Sequence, residues 1–567
     1  MRSTIPLTVL AMFTMSCSAP SSGPASTSSA PAVSAETRRL EGMTARFAPV
    51  DLVADVNALP ESERKALGKI VAAARLMDAL FMRQAWAGNE SLLLTLLQDQ
   101  TPEGRARLHY FLINKGPWSR LDHFEAFVPG VGARPEAANF YPAGATKAEV
   151  EAWIKGLPPA QHDAATSYFT TIRRGPDGKL LAVPYSQEYQ GELAQAAALL
   201  REAAALTAQP TLKTFLEKRA AAFISNDYYA SDVAWMELDA SIEPTIGPYE
   251  TYEDEWFGYK AAFEAFIGVR DDAETNKLAH LGAELQELED HLPIDAAFRN
   301  PTLGALAPIR VLNTVFSAGD ANRGVQTAAF NLPNDDRVVK EKGSKRVMLK
   351  NNQQAKFQMV LVPISKVALP AADQAQVSFD AFFTHILMHE LMHGLGPHNI
   401  TVGGKPGGKA STVRLEFKDT YGATEEAKAD ISGLWALQYL IDKGTLPKAL
   451  ESQIYTTFLA SCFRSIRFGV NEAHGRGVAI QLNYFLDHGG VKVAADGTFS
   501  VDASRIKQNV TDLTRDIMTM QAKGDYAAAT QLIGTLGVVR PEVQRVLDRL
   551  KDVPVDIEPR FVSVAGL

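Results

Sequence analysis

The sequence predicts an α+β protein that is mainly helical and carries a strand-rich segment near its middle. Apolar residues recur at three- and four-residue spacing in five segments that we predict as amphipathic helices: residues 61–84, 188–206, 211–224, 275–292 and 509–522. Between residues 310 and 366 the pattern changes to β-branched or alternating runs separated by Gly, Asn and Asp, which is typical of strands and turns. We find no internal repeat of solenoid or propeller period.

Length and composition place the chain among folded globular proteins. It has 567 residues, of which 46% are hydrophobic and 22% charged, and its formal net charge is −8. At roughly 100–200 residues per domain, this length allows two to four domains. An acidic balance without a basic patch gives no reason to expect nucleic acid as a partner, because phosphate binding needs a positive field. Two cysteines, Cys17 and Cys462, exclude a disulfide scaffold.

The amino-terminal residues are typical of an export signal. Arg2 precedes an apolar run over residues 5–15, which is too short to span a bilayer. Ser16 and Cys17 resemble a bacterial lipobox, which predicts a signal peptide over residues 1–17 and lipidation of Cys17; cleavage elsewhere without lipidation is the alternative. Residues 18–36 are rich in Ser, Pro and Ala and predict a disordered tether. We therefore expect export to the bacterial periplasm or cell envelope, with the membrane contacted only through a lipid anchor.

Individual strands can be placed within the strand-rich segment. The alternating or β-branched runs 311–316, 346–349 and 357–364 are predicted as strands. Residues 553–557 and 560–564 also look extended, so the carboxyl terminus is expected to return to the same sheet.

The residues that carry chemistry follow the strand-rich segment. His389, Glu390 and His393 form a His-Glu-x-x-His motif inside a helical pattern. Ser378 or Asp380 can cap the start of this helix. Two imidazoles at i and i+4 lie on one helix face and can bind one metal ion, and Glu390 between them is placed to act as a general base. The apolar flanks predict a buried helix, which favours a metal site over a surface helix with two histidines.

A zinc site of this kind needs a third protein ligand and an open fourth position. The helical segment 424–430 supplies candidates, because Glu426 and Asp430 share one of its faces. His385, one turn before the motif, is interpreted as a packed or supporting residue rather than a ligand. His398 fits a turn residue as well as it fits a substrate contact.

Four motifs occur in a fixed order between residues 246 and 474. The first two are Ile-Gly-Pro-Tyr-Glu-Thr-Tyr-Glu-Asp at 246–254 and Ala-Phe-Asn-Leu-Pro-Asn-Asp-Asp at 329–336. The third is His-Glu-Leu-Met-His-Gly with the later Glu-Glu-Ala-Lys-Ala-Asp, and the fourth is Asn-Glu-Ala-His at 471–474. Together they resemble the dipeptidyl peptidase III family of zinc metallopeptidases. The shorter pentapeptide form of the zinc motif is similar to that of some bacterial members.

The resemblance implies a role for each matched residue. One zinc ion would be held by His389, His393 and Glu426, with Glu390 as the catalytic base. Glu425 and Asp430 would be supporting carboxylates that orient the two imidazoles. Tyr252 and His474 would stabilise the oxyanion. The substrate ammonium group would be bound by Glu250, Asn331 and Asn334. Without the resemblance, residues 250–252 also fit a capped helix start, and residues 331–334 fit a turn.

The fold implied by the resemblance has two lobes with a wide cleft, a helical zinc lobe and a lobe with a mixed β-core. This metallopeptidase part is expected over residues 37–567, with the zinc motifs at about 375–480 and the strands at about 310–366. The shortened motif is expected to keep metal binding and to change the register of the peptide against Glu390. No Nudix box occurs, so we expect the peptidase module alone behind the tether.

The predicted function is that of a zinc-dependent exopeptidase that hydrolyses bonds near the free amino terminus of short peptides and releases dipeptides. Short peptides are its expected partners. The alternatives are a different zinc hydrolase, such as an aminopeptidase or an endopeptidase, and an inactive lipid-anchored peptide-binding protein.

Overall fold

The computed structural model describes residues 33–303, 308–404 and 408–567. The predicted signal peptide, Cys17 and the tether up to residue 32 lie outside these ranges. The first helix begins at Ala35 and is capped by Ser34, whose side chain accepts a hydrogen bond from the Thr37 amide. The prediction that the tether extends to residue 36 is therefore wrong at its last two residues. Within the described ranges, no helix is long and apolar enough to cross a bilayer.

Helices dominate the described part of the chain. The α-helices are α1 Ala35–Thr44, α2 Glu61–Ala85, α3 Asn89–Gln98, α4 Pro102–Asn114, α5 Lys147–Lys155, α6 Pro159–Thr166, α7 Tyr185–Glu188, α8 Gln190–Leu206, α9 Pro210–Ser225, α10 Tyr229–Met236, α11 Asp272–Ala283, α12 Leu285–His291, α13 Asp336–Lys342, α14 Lys350–Lys356, α15 Val362–Ala368, α16 Ala371–Gln374, α17 Phe379–Met392, α18 Val413–Phe417, α19 Tyr421–Lys443, α20 Leu450–Ile466, α21 Ala473–Asp487, α22 Ile506–Lys523, α23 Tyr526–Leu536 and α24 Pro541–Arg549.

The strands form one larger sheet and several two-stranded ones. They are β1 Phe47–Leu52, β2 Trp118–Ser119, β3 Glu125–Ala126, β4 Thr170–Arg174, β5 Leu180–Pro184, β6 Ile242–Glu250, β7 Ala262–Arg270, β8 Ile309–Gly319, β9 Ala329–Leu332, β10 Lys345–Leu349, β11 Asn399–Thr401, β12 Ala410–Thr412, β13 Val491–Val493, β14 Phe499–Val501 and β15 Asp556–Phe561. The larger sheet has the order β6-β7-β8-β10-β9 and is mixed, because β8 and β10 are parallel and its other pairs antiparallel. This arrangement leaves β9 at one edge.

Two large hydrophobic cores give the molecule two lobes. The first core packs α2, α8 and α9 with the larger sheet, and the second packs α17 and α19–α22. Successive residues of β8 face different cores, since Val311 belongs to the second core and Leu312 to the first. Met348 and Val347 of β10 divide in the same way. The predicted fold, a helical lobe beside a lobe with a mixed β-core, is confirmed.

Three expectations about local structure need correction. Residues 357–364 are helical rather than extended, because they continue α14 through a π-helical turn, Phe357–Leu361, into α15. Their buried side chains recur at helical spacing, at positions 357, 360, 361 and 364. The segment 275–292 forms two helices, α11 and α12, instead of one. The carboxyl-terminal strand β15 pairs in parallel with β1 in a separate two-stranded sheet and does not join the larger one.

Two glycines let three helices of the second lobe pack closely. A Cβ atom on Gly433 of α19 would lie 3.2 Å from the His389 main-chain nitrogen in α17. A Cβ atom on Gly477 of α21 would lie 2.9 Å from the Ala427 nitrogen in α19, a separation that real Cβ contacts do not show. The backbones of α17 and α21 therefore approach α19 from two sides, and this brings the polar residues of the three helices together.

Candidate metal centre

Helix α17 carries His389 and Glu390 of the His-Glu-x-x-His motif, and His393 directly follows its last residue as the carboxyl-terminal cap. Its first turn is capped by Ser378, whose hydroxyl accepts from the Ala381 amide at 3.4 Å, as one of the two predicted caps. One turn separates His389 from His393, and their Nε2 atoms lie 3.1 Å apart. His389 is buried and His393 is partly buried, so both rings face the interior of the cleft wall.

Glu426 of α19 completes a cluster of three acceptor atoms. Its Oε2 atom lies 3.3 Å from His389 Nε2 and 3.8 Å from His393 Nε2. Ligand atoms about 2.1 Å from a tetrahedral zinc ion are roughly 3.4 Å apart, which the three observed separations match. Glu426 Oε2 is buried and accepts no hydrogen bond from the described residues. The residues present therefore fit a zinc ion with three protein ligands.

Carboxylates behind the rings fix the orientation of both imidazoles. Asp430 Oδ1 lies 2.8 Å from His389 Nδ1, and Glu425 Oε1 lies 3.0 Å from His393 Nδ1. Each Nδ1 therefore donates a proton to a carboxylate, which leaves each Nε2 with a free lone pair. Three acceptor atoms that converge in this way are stabilised by a cation between them, and this supports the metal site.

Glu425 is held in its anionic form by residues on two other sides. Burial raises the pKa of Glu425, but Lys428 and the hydrogen bond from His393 outweigh this and lower it to about 2. Lys428 Nζ lies 2.8 Å from Glu425 Oε1 and also donates to the main-chain oxygens of Met392 and Leu395 at the end of α17. Gln521 of α22 donates to Glu425 Oε2 at 3.1 Å. Lys428 thus ties the metal-binding helix to α19.

Glu390 and His474 lie beside the cluster. Glu390 and His474 line a cavity of about 490 Å³ together with His389. His474 Nε2 lies 3.2 Å from Glu426 Oε2, and its Nδ1 lies 2.7 Å from Glu472, the residue that caps α21. The hydrogen bond to Glu472 raises the pKa of His474, so the ring carries a proton more readily.

The predicted ammonium-binding residues lie at the carboxyl end of β6 and beside β9. Glu250 is the last residue of β6, and Asn334 donates to the main-chain oxygen of its neighbour Tyr249 at 2.6 Å. Asn331 lies on the edge strand β9 and is exposed. Tyr252 is 80% exposed, and partial desolvation together with the charges of Glu250 and Glu426 raises its pKa. The structure thus brings Glu250, Tyr252 and Asn334 together, with Tyr252 near enough to respond to the metal centre.

Two further carboxylates adjoin Glu250, and the sequence motifs assigned a role to neither of them. Oxygen atoms of Glu250, Glu264 and Asp320 lie within 4.8 Å of one another. Burial and the charge of Asp320 raise the pKa of Glu250 to about 7. Arg120 and Arg134, each 2.7 Å from the Glu253 carboxylate, offset most of its charge, so Glu253 makes a smaller contribution than Asp320 to the raised pKa of Glu250. The Glu250 end of the cleft is suited to a cation.

Comparisons with known proteins agree with this geometry. The sequence profile of peptidase family M49 matches residues 163–398. A dipeptidyl-peptidase III structure from Corallococcus sp. strain EGB is 68% identical, covers 94% of this chain and 98% of that chain, and has a TM-score of 0.81. A structure of DPP III from Caldithrix abyssi is 46% identical over 92% and 98% of the two chains, with a TM-score of 0.89. Nudix hydrolase 3 of Arabidopsis thaliana is 43% identical over a gapped alignment of 584 positions, which spans 94% of this chain and 75% of that protein. The chain belongs to peptidase family M49.

Family membership confirms the predicted resemblance and makes the protein a metallopeptidase of the dipeptidyl-peptidase type. It does not test the roles of individual residues, which stay predictions. His385 Nε2 donates a hydrogen bond to the Asp430 main-chain oxygen at 3.1 Å and lies outside the three-ligand cluster, as its interpretation as a packed residue expects. The sequence analysis did not identify Arg346 of β10. A Cβ atom on Gly394, just after the His-Glu-x-x-His motif, would lie 3.8 Å from its guanidinium. Burial lowers the pKa of Arg346, and the charge of Glu390 partly offsets this.

Replacing Asp430 tests the support of the M49 metal site. In Asp430→Asn the negative charge behind His389 is lost. The side-chain amide can also donate a hydrogen bond to Nδ1, which favours the tautomer with its proton on Nε2 and makes Nε2 a poorer ligand. We expect zinc affinity to fall by about 10- to 100-fold, measured by competition with a chelator. Asp380→Asn is the matched control, because Asp380 lies on the exposed face of α17. Zinc affinity of Asp430→Asn within twofold of wild type would contradict this support role.

Proposed function

We propose that this metallopeptidase is a zinc-dependent exopeptidase that hydrolyses short peptides near their free amino terminus and releases dipeptides. The observation that carries the proposal is a three-acceptor metal centre together with a partly buried carboxylate, Glu250, and with Tyr252 near enough to both for the charges of Glu250 and Glu426 to raise its pKa. A metal centre alone would be compatible with any type of metallopeptidase. A carboxylate at a fixed separation from that centre selects substrates by the position of their ammonium group.

The chain's own residues divide the work of hydrolysis. Zinc, when bound by His389, His393 and Glu426, would polarise the scissile carbonyl and lower the pKa of water. Glu390 would accept the proton of the attacking water and pass it to the leaving amine. His474, whose pKa is raised by its hydrogen bond to Glu472, and the hydroxyl of Tyr252 would donate hydrogen bonds to the developing oxyanion.

The peptide is aligned by the other lobe. The edge strand β9 pairs only with β10 within the described residues, so its outer N–H and C=O groups are free to pair with an extended peptide. Asn331 lies on this strand, and Asn334 is held beside Glu250 by its hydrogen bond to Tyr249. A peptide along β9 would thus place its amino end at Glu250 and its later residues towards Ala329, which lines the cavity beside Glu390.

Hydrolysis of matched peptides tests this proposal. Zinc-loaded protein is incubated with one tetrapeptide in two forms, with a free and with an acetylated amino end, and the products are identified by mass spectrometry. We expect an amino-terminal dipeptide from the free form and little product from the acetylated form. Equal cleavage of both forms would indicate an endopeptidase, and release of single residues would indicate an aminopeptidase.

We further propose that the protein is an exported lipoprotein of the bacterial cell envelope. The support is in the sequence alone, in the apolar run 5–15 followed by Ser16 and Cys17. Metabolic labelling with a radioactive fatty acid, compared between the natural chain and Cys17→Ser, tests this; equal labelling of both would refute lipidation at Cys17.

A further inference from the structure

Arg323 lies beside the carboxylates that adjoin Glu250 and has no part in the mechanism above. Its Nε atom donates to Asp320 Oδ1 and also lies 3.3 Å from Glu253 Oε1. Asp320 belongs to the carboxylate cluster of Glu250, and Glu253 belongs to the loop that joins β6 to β7. One guanidinium therefore connects the carboxylate cluster to the loop that follows Glu250.

The turn after β8 that carries Arg323 is fixed at both ends. Gly319 donates its main-chain N–H to Asp78 Oδ1 of α2 at 2.7 Å. Gly324 donates its N–H to the main-chain oxygen of Ile113 in α4 at 2.8 Å. Because two helices hold the ends of the turn, the guanidinium is kept close to both carboxylates.

Burial and pairing leave Glu250 as the carboxylate of the cluster that carries a free charge. Burial and the charges of Asp320 and Glu250 raise the pKa of Glu264 well above its usual range, so Glu264 is uncharged at neutral pH. Burial also raises the pKa of Asp320, and its contact with Arg323 offsets part of this effect. A carboxylate paired with a guanidinium repels Glu250 less than a free carboxylate would. The cluster therefore presents its negative charge mainly at Glu250.

Arg323 also acts on Glu250 by its own charge. Its guanidinium lowers the pKa of Glu250, against burial and the charge of Asp320, which raise it. Arg323 is the one cation in the set of groups that surround Glu250, so its removal would favour protonation of this carboxylate. The set comprises Glu264 from β7, Asp320 and Arg323 from the turn after β8, and Tyr252 and Glu253 from the loop after β6.

We propose that Arg323 is a positioning residue for the ammonium site: by binding Asp320 and Glu253, it keeps Glu250 anionic and in place to receive the amino end of the peptide. This inference rests on the proposed function, because Glu250 is taken to bind the substrate ammonium group. A paired and an uncharged carboxylate beside Glu250 leave one net negative charge, which matches a single ammonium group. Arg323 acts through Glu250 and needs no contact with the substrate.

The pH dependence of kcat/KM for a free tetrapeptide tests the role of Arg323. In Arg323→Gln we expect the rise of kcat/KM with pH to move about one pH unit higher, because Glu250 loses a nearby opposite charge. At neutral pH KM should increase several-fold and kcat should change by no more than about twofold, since the ammonium contact is made in the bound peptide and in the transition state alike. Arg323→Lys, which keeps the charge, should restore most of the wild-type profile. The acetylated peptide should be hydrolysed by Arg323→Gln with the wild-type kcat/KM.

Two further variants separate the charge of Arg323 from the stability of the loop. Arg134→Gln is the matched control, because the ion pairs of Arg134 are with Glu253 and Glu255 rather than with Asp320. It should move the rise of kcat/KM much less than Arg323→Gln does. Asp320→Asn should move the rise to lower pH, because Arg323 then acts on Glu250 without the opposing carboxylate; this result does not depend on the folding of Arg323→Gln.

The outcomes against the proposal are equally specific. An equal movement of the rise in Arg134→Gln and Arg323→Gln would assign the effect to the loop and overturn the role of Arg323. A rise that stays at its wild-type position in Arg323→Gln, or in Asp320→Asn, would also overturn it.

Binding measured without turnover separates this inference from the proposed function. Calorimetric titration of zinc-loaded Glu390→Gln with the free tetrapeptide, between about pH 6 and pH 8, should show the same movement to higher pH when Arg323→Gln is added. Wild-type products other than dipeptides, together with this movement, would overturn the proposed function alone. Binding of the free peptide that does not depend on Arg323 at any of these pH values would overturn the positioning role, whatever the products are.

Discussion

Glu390→Gln is expected to lower kcat by about 10²- to 10⁴-fold, the usual contribution of a general base, and to leave zinc content unchanged. The substitution keeps the size and the hydrogen-bonding oxygen of the side chain and removes its capacity to accept a proton. Glu390 is not one of the three clustered acceptor atoms, so its loss should not release the metal. Steady-state hydrolysis of a free tetrapeptide and zinc analysis by atomic absorption measure the two effects.

The control for Glu390→Gln is Glu217→Gln, which makes the same chemical change at an exposed position of α9. It should hydrolyse the peptide at the wild-type rate. If Glu390→Gln keeps more than a tenth of wild-type kcat, another group accepts the proton. Loss of zinc together with activity would instead show that Glu390 is needed to form the site.

The metal centre could be predicted from the sequence because its spacing is local. His389 and His393 lie on one face of any helix, and Glu425, Glu426 and Asp430 are likewise spaced within one short helical segment. Spacing alone does not show that α17 packs against α19. The family resemblance implied this contact, because its ligand set takes residues from both helical segments. Lys428 stands in the same segment, three residues after Glu425, so its contact with that carboxylate could have been found by the same reasoning.

Other features depend on contacts that sequence spacing does not encode. β6 is buried on both faces, but Pro244, Gly247 and Pro248 interrupt its apolar pattern, so the sequence does not predict a strand there. Residues 357–364 form an apolar run that fits a buried strand as well as a buried helix. Glu264 and Asp320 reach Glu250 from β7 and from the turn after β8, so the charge of that site appears only once the sheet is assembled.

Glu250→Gln should remove the selection for a free amino terminus. We expect kcat/KM for the free tetrapeptide to fall by about 10- to 100-fold, because a hydrogen bond between two charged groups is replaced by one to a neutral amide. The value for the acetylated peptide should change little, since that substrate offers no ammonium group to Glu250. The ratio of the two kcat/KM values, measured for both proteins, reports the loss.

The pH dependence of kcat/KM gives a second, independent sign of the same contact. Since kcat/KM reports the ionisation of the free enzyme and free substrate, wild-type activity on the free peptide should rise with pH as Glu250 ionises, around its raised pKa of about 7. Activity should decline above about pH 8, where the α-amino group of the peptide loses its proton. In Glu250→Gln the rise of kcat/KM near pH 7 should disappear. The decline of kcat/KM above about pH 8 should become smaller, because the ammonium group of the peptide no longer meets a carboxylate at this position. Glu217→Gln should keep the full bell-shaped profile. Persistence of the acidic limb in Glu250→Gln would assign it to another group and leave the ammonium site without its principal carboxylate.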